Sequence, residues 1–266
     1  MADNNILSEH EIKQNLLDSY KNFDIKIFDT LPSTNDFAKE LINSNKFTNG
    51  TTIIANSQTS GRGRFARTFF SPTNTGIYFS TILKKSLPIK DVSLITLISA
   101  VAVCKAITKL THLNPQIKWI NDVYLNNKKI CGILVENICN FNNMKSKAIV
   151  AGIGINISTE NFPKDIQDKA GSIMCDNLSR NKLIAEILNN LFDLSQDIYN
   201  GQIIKEYKSL SVVLNKQIVY IKHNKTYTAT AIDINNIGNL IVRDENNNIS
   251  ILDCEEVSIN FCETKI

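Results

Sequence analysis

The spacing of apolar positions along the chain changes period several times, and each change marks an element. Before residue 22, Ile12, Leu16 and Leu17 recur at helical spacing, which predicts a short amphipathic helix. Residues 25–28 alternate as a strand. Ser33-Thr34-Asn35 follows, then Phe37, Ala38, Leu41 and Ile42 at helical spacing, so Ser33 or Thr34 is the expected helix N-cap. Residues 51–55 are a β-branched strand that opens into the polar, glycine-bearing stretch 56–64. Residues 76–83 read as another strand. Residues 91–110 read as a helix, apolar on every side in its middle and therefore buried.

Three short strands are expected at 116–119, 123–125 and 130–135, with residues 126–129 as the turn between the last two. A further strand covers 147–157, and an amphipathic helix covers 181–199, with Leu183, Ile184, Ile187, Leu188, Leu191 and Leu194 on its inner side. After about Leu214 the character changes. Strands at 217–221, 227–234, 240–243 and 250–252 are separated by Asn/Gly turns, the pattern of a small all-β barrel. The order of elements before it predicts an α+β fold with a mixed sheet. The expected division is residues 1–213 and 214–266.

Composition narrows the class only a little. The chain of 266 residues has 29 Lys and Arg against 26 Asp and Glu, a net charge of +3, too mild for a general nucleic-acid or membrane binder. Cys104, Cys131, Cys139, Cys175, Cys254 and Cys262 form no Cys-x-x-Cys pair, and His10, His112 and His223 are isolated, so free thiols in a reducing compartment are expected. Residues 1–20 lack a signal-peptide core, and the longest apolar stretch, 94–104, is read as too short to cross a bilayer. A cytoplasmic protein is the expectation.

Four segments carry candidate chemistry. Gly61-Arg62-Gly63-Arg64-Phe65-Ala66-Arg67 combines glycines, which let backbone N–H groups approach an anion, with planar arginine donors. Alone it fits a phosphate-bearing ligand and a solvated basic turn equally well. Lys118-Trp119-Ile120-Asn121-Asp122 is followed by Lys128-Lys129 and Gly132-Ile133-Leu134-Val135-Glu136. A carboxylate at Asp122 suits Mg²⁺ on nucleotide phosphates, and Lys129 suits charge developing on a phosphoryl group. An ordinary Asn-Asp turn and a solvated lysine pair explain the same residues. Gly152-Ile153-Gly154-Ile155-Asn156 puts glycines inside a strand, which marks close approach of a ligand or of another element. Ser33-Thr34-Asn35 opens a helix, whose first N–H groups can receive a carboxylate.

In their order, these segments closely resemble the biotin–protein ligase family: Ser-Thr-Asn, Gln-Thr-x-Gly-Arg-Gly-Arg, Lys-Trp-x-Asn-Asp, Lys-x-x-Gly-Ile-Leu-x-Glu and Gly-x-Gly-x-Asn. The specific resemblance runs over about residues 28–157, and the C-terminal part resembles that family's SH3-like domain. The resemblance implies a catalytic biotin/ATP-binding domain over 1–213 and ATP-dependent formation of biotinyl-5'-adenylate. Transfer of biotin to a lysine of a biotin carboxyl carrier protein, or of that domain in a carboxylase, would follow. By matching position, Ser33, Thr34 and Gln58 would bind biotin at its ureido end, Gly132, Ile133 and Gly152 would lie along its ring and chain, and Asn35 and Lys129 would also bind it. Gly61, Arg62, Gly63 and Arg64 would close over the adenylate. Arg64, Arg67, Phe69, Asn121, Lys129 and Asn156 would take ATP. Lys129, Arg64 and Asp122 would be catalytic, with Mg²⁺ near Asp122. No DNA or membrane partner is implied, and a monomer and a homodimer both fit. About 22 residues precede the first strand, fewer than a helix-turn-helix reader needs, so the form without that reader is expected.

Three positions depart from the family. Ile120 stands where Pro is usual and is expected to loosen one turn, Phe69 stands where Trp is frequent, and Ala66 replaces a common Gly. Two other readings compete. A lipoate–protein ligase shares the catalytic fold, and a nucleic-acid module would use Arg62, Arg64, Arg67 and Lys128–Lys129 on phosphates.

Overall fold

Why the strands pair as they do follows from which faces are apolar. The computed structural model describes residues 6–140, 145–253 and 255–259; Cys254 and Cys262 lie outside these. Strand β1 (Ile25–Leu31) and strand β2 (Thr52–Gln58) run parallel, joined by helix α2 (Thr34–Asn43), with helix α1 (Glu9–Asn15) before them. Strand β3 (Gly76–Leu83) leads to helix α3 (Ser93–Thr111). Strands β4 (Gln116–Lys118), β5 (Asp122–Leu125), β6 (Lys128–Asn140) and β7 (Lys145–Asn156) complete a seven-stranded sheet. Its order is β1-β2-β3-β7-β6-β5-β4, antiparallel at every pairing except the first, so the expected mixed sheet is present.

The two faces of this sheet are covered unequally. Ile149, Ala151, Ile153 and Ile155 of β7 point into the main core with α3 and helix α4 (Arg180–Leu194). The alternate residues Ala148 and Val150 pack with Ala38 and Ile42 of α2 in a second, smaller core. α2 is only 10 residues long, so it roofs one end of that face. The strip carrying Gly132, Gly152 and Gly154 continues beyond the helix, and the site lies there.

α3 explains its own composition. With the turn before it, the helix spans 23 residues and is apolar enough by length and composition to cross a membrane. The stretch expected to be too short is thus long enough, but 72% of its apolar window is buried inside the protein. A helix apolar on all sides is what a fully covered core helix requires.

Helix α5 (Gln202–Leu210) was not expected; only Ile203, Ile204 and Tyr207 are buried on it, too few to show a period. It leads to strands β8 (Gln217–Lys222), β9 (Lys225–Ile234), β10 (Leu240–Arg243), β11 (Ile249–Leu252) and β12 (Glu256–Ser258). These pair in the order β11-β10-β9-β8-β12 as an antiparallel five-stranded sheet, consistent with an SH3-like unit. β12 is three residues long and escaped the sequence reading. This sheet packs on the rest through one continuous core that includes Leu94, Val101, Ala231, Leu240 and Val242. Trp119 Nε1 donates to Gly238 O at 2.8 Å, and Tyr207 Oη to Ile120 O at 3.0 Å. The turn at Ile120, expected to be loose, is therefore held from both sides; the Trp119–Ile120 peptide is cis.

Other boundaries move for local reasons. α1 stops at Asn15, and Leu17 lies outside it with 48% exposure rather than on its buried face. The β5–β6 turn is only Asn126-Asn127, both at positive φ (50° and 61°), as a tight primed turn demands. Lys128 and Lys129 consequently belong to β6, not to the turn. α4 ends at Leu194, before the expected 199.

Candidate functional site

Two clusters share the open strip of the sheet. The first is held by hydrogen bonds. Ser33 caps α2, accepting from Asp36 N–H, and this fixes Thr34 and Asn35 in the first turn. Thr34 N–H donates to Gln58 Oε1 at 2.9 Å, and its hydroxyl reaches the same oxygen at 3.2 Å. Gln58 Nε2 donates to Ser71 Oγ at 3.0 Å. Ser80 Oγ lies 2.7 Å from Thr34 Oγ1 and 2.5 Å from Asn35 Oδ1. A small, partly open pocket is lined by Ser33, Thr34, Asn35, Gln58, Arg62 and Gly152, among others. Glycine is obligatory in two places here. A Cβ on Gly152 would meet Asn35 Oδ1 at 2.0 Å, and one on Gly154 would meet the Phe69 ring at 2.5 Å.

The second cluster is ionic. Lys129 Nζ pairs with Asp122 Oδ1 at 2.6 Å, and Arg64 Nη1 donates to Asn121 Oδ1 at 3.1 Å. Asn121 is held by Ile133: its Nδ2 donates to Ile133 O at 2.9 Å, and its carbonyl accepts from Ile133 N–H at 3.0 Å. Arg67 Nη2 pairs with Glu256 Oε2 of β12 at 2.5 Å, tying this cluster to the C-terminal sheet. Lys118 belongs to it as well. Burial pushes the Lys118 ammonium below its ordinary value; the charge of Asp122 opposes this, and that of Lys129 adds to it. Lys129 joins the two clusters, because its Cε lies 3.3 Å from where a Gly132 Cβ would stand, on the pocket floor.

The arginine loop between them is a small hairpin. Phe69 N–H donates to Gly61 O at 2.9 Å and Gly63 N–H to Arg67 O at 2.7 Å. At its tip Phe65 and Ala66 take φ of 56° and 57°. Ala66 thus occupies the left-handed region that glycine adopts freely, which accounts for glycine being common at this position in the family it resembles. Arg62 pairs with Asp36 at 2.9 Å. Asn156 donates to Gly171 O at 3.0 Å, while its buried Oδ1 has no hydrogen-bond partner among the described residues.

The residues singled out in the sequence therefore converge on one face. Three contributors escaped that reading. Ser80 sits under the pocket from β3, Glu256 arrives from a strand that was not expected, and Glu136 was part of a motif but had no assigned role. Burial pushes the thiols of Cys104 and Cys131 up, so neither offers a nucleophile.

Comparisons with known proteins agree with this geometry. The profile of the biotin/lipoate A/B protein ligase family matches residues 27–156. The bifunctional ligase/repressor BirA of Bacillus subtilis is 36% identical over 167 residues, 63% of this chain and 51% of that protein, so the match spans about half the relative's length. Biotin protein ligase from Aquifex aeolicus, solved in complex with biotin and ATP, superposes with a TM-score of 0.71 at 24% identity, covering 88% of this chain and 97% of that one. The Leishmania major enzyme in complex with biotinyl-5-AMP gives a TM-score of 0.61 at 23% identity, covering 87% and 99%. Residues 27–156 are thus similar to the biotin/lipoate A/B protein ligase family, and the fold is that of the solved biotin protein ligases.

Proposed function

We propose that this chain is a biotin–protein ligase. It joins biotin to ATP as biotinyl-5'-adenylate with release of pyrophosphate, then passes biotin to a lysine of a biotin carboxyl carrier domain. The observation that carries this reading is the side-by-side placement of a hydrogen-bonding pocket, with Arg62 as its one charged lining residue, and an ionic cluster whose Lys129 lies against Gly132 of the pocket lining.

Each side chain then has a task. Ser33, Thr34 and Gln58 offer the mixed donors and acceptors that a cyclic urea needs, with Asn35 behind them. Gly132 and Gly152 leave room for the ring and chain. Gly61, Arg62, Gly63 and Arg64 form the loop over the adenylate. Arg67, Phe69, Asn121 and Asn156 serve the nucleotide, and the unpartnered Asn156 Oδ1 suits an exocyclic amine. In the first step a biotin carboxylate oxygen bonds the α-phosphorus as the bond to pyrophosphate breaks. Lys129 and Arg64 neutralise the charge that builds up. When Lys129 turns to phosphate it releases Asp122, whose carboxylate is then free to take the proton lost by the attacking carrier lysine as AMP leaves. Among the described residues no group of three metal-binding side chains exists. Mg²⁺ accordingly fits as a phosphate-borne ion with Asp122 as the protein carboxylate in reach, adding neutralisation. Residues 1–213 would form the catalytic domain and 214–266 the SH3-like one. With ATP as substrate, the cytoplasm is the proposed location.

The rival readings meet specific observations. A dithiolane ring has no N–H to match Thr34 and Gln58, which disfavours lipoate. A nucleic-acid interface would leave the hydrogen-bonding pocket beside the arginine loop without a use. The test is ATP–pyrophosphate exchange, followed by mass gain on a carrier domain. Exchange that requires biotin, with one biotin added per carrier, is expected. Exchange that requires lipoate instead, or none with either acid, overturns the reading.

A further inference from the structure

We propose that Glu136 is a positioning residue that sets the proton order of the polar pocket, and through it the affinity for biotin, without touching the reacting atoms. The inference deepens the ligase reading and rests on it.

The Asn35 amide is 4% exposed, so every one of its polar atoms needs a partner. Its Nδ2 faces Glu136 Oε2 at 2.7 Å and Leu134 O at 3.2 Å. Both are acceptors only, a carboxylate and a backbone carbonyl. A flipped amide would set its oxygen against two acceptors, so the amide has one orientation. Asn35 Oδ1 must then face Ser80, and Ser80 has a single hydroxyl proton for Asn35 Oδ1 and Thr34 Oγ1. Whatever fixes Asn35 therefore fixes Ser80.

The order continues into the pocket. Thr34 donates its N–H to Gln58 Oε1, so the Gln58 amide is also fixed, with Nε2 on Ser71, while the Thr34 hydroxyl proton fills the contact to Ser80 Oγ, whose own proton goes to Asn35. This leaves lone pairs on Thr34 Oγ1 and a second N–H on Gln58 Nε2. Ser33 Oγ accepts from Asp36 N–H, which leaves its own proton free to donate. One acceptor beside two donors matches the N–H and C=O edge of a urea. Gly152 belongs to the same device, since any side chain there displaces Asn35.

Glu136 is itself anchored. Its Oε1 pairs with Lys39 at 2.9 Å, and Lys39 also holds Asp36 at 2.8 Å. Burial works against the Lys39 charge, but its bonds to Asp36 and Glu136 overcome it, and its pKa is raised. The carboxylate is thus held in place at the far end of the chain Glu136–Asn35–Ser80–Thr34–Gln58. A buried polar network of this kind transmits a change at one end to the other.

Replacing Glu136 by Gln keeps the shape but offers Asn35 a donor as well as an acceptor, so the amide orientation is no longer forced. The experiment compares wild type, Glu136→Gln and Ser80→Ala in ATP–pyrophosphate exchange with biotin and with biotin methylated at a ureido nitrogen. Leaving a buried polar group mispaired predicts a rise of about tenfold in KM for biotin. The kcat and the KM for ATP should stay within about twofold, and the preference for biotin over the methylated analogue should fall. Glu136→Asp should recover part of the loss. Ser80→Ala breaks the same relay without altering charge and decides the matter if Glu136→Gln unfolds. Unchanged biotin KM in both variants, or a loss that is equal for biotin and its methylated analogue, overturns the role of Glu136 alone. A wild type without biotin-dependent exchange overturns the ligase reading, and the role of Glu136 with it.

Discussion

The hydrogen-bonding pocket and the ionic cluster lie on one strip of one sheet, yet they are built on opposite principles. In the pocket, short side chains (Ser33, Thr34, Asn35, Ser80) are buried and paired by the fold itself. Their geometry is finished before any ligand arrives. In the ionic cluster, charged side chains hold one another, Arg67 with Glu256 and Arg62 with Asp36 where the arginines are exposed, and Lys129 with Asp122 half-buried. The exposed arginine pairs are worth only about 0–1 kcal/mol, so phosphate can take the arginines at little cost. One region recognises by being rigid, the other by exchanging partners.

That contrast is open to attack in four places. The largest effect is expected at the junction. Removing one electrostatic donor at a charge-building site costs about 10²–10³ in rate, so Lys129→Ala should lose that much pyrophosphate exchange while its thermal unfolding stays near wild type. Exchange at the wild-type rate would show that Lys129 is only a surface cation. Next comes the rigid pocket. A Cβ at position 152 would stand 2.0 Å from Asn35 Oδ1, and overpacking costs about 1–3 kcal/mol. Gly152→Ala should therefore lower stability and raise biotin KM by about tenfold or more, with ATP KM unchanged; a parallel rise in both would erase the division between the two regions.

The loop should respond less. Arg64 contacts Asn121 and lies over the Phe65 ring. Its replacement by Gly should speed escape of the adenylate by about tenfold, the loss of one charge-assisted bond, as read by filter binding. Unaltered retention would remove Arg64 from closure. The smallest effect concerns pH. The Lys118 pKa is lowered by burial from an ordinary 10.5. The unfolded chain thus holds more protons in the window just below 10.5, and this lysine's contribution to stability rises with pH through that window. Its affinity effect has the opposite sign. Only the cation neutralises phosphate, so ATP KM should climb at a lower pH than an ordinary lysine would give, and biotin KM should not. Lys118→Arg, charged throughout, should abolish the climb; if the climb persists, Lys118 is not its source.

How much of this was legible beforehand depended on the range of the interactions. β3 was read to the residue, because alternation and flanking turn signals are local. The cap of α2 was narrowed to Ser33 or Thr34, since capping needs only three following residues, and the structure places it at Ser33. α5 was missed because its three buried residues make contacts that no window on the sequence displays. Leu17 was misplaced because helical spacing continued past the point where the chain turns. Lys129 was found through its motif, but its partner Asp122 at 2.6 Å follows from strand pairing between β5 and β6.

The sequence by itself determined the element types, the α+β class and the set of residues able to handle a carboxylate and a phosphate, since these follow from local periodicity and functional-group chemistry. Only the tertiary structure decided which of them meet. Glu136 reaches Asn35 across 101 positions and Glu256 reaches Arg67 across 189, distances at which sequence spacing carries no geometric information. The donor order of the pocket is of this second kind: each bond is defined by a neighbour on another element, and only the closed chain leaves a single arrangement.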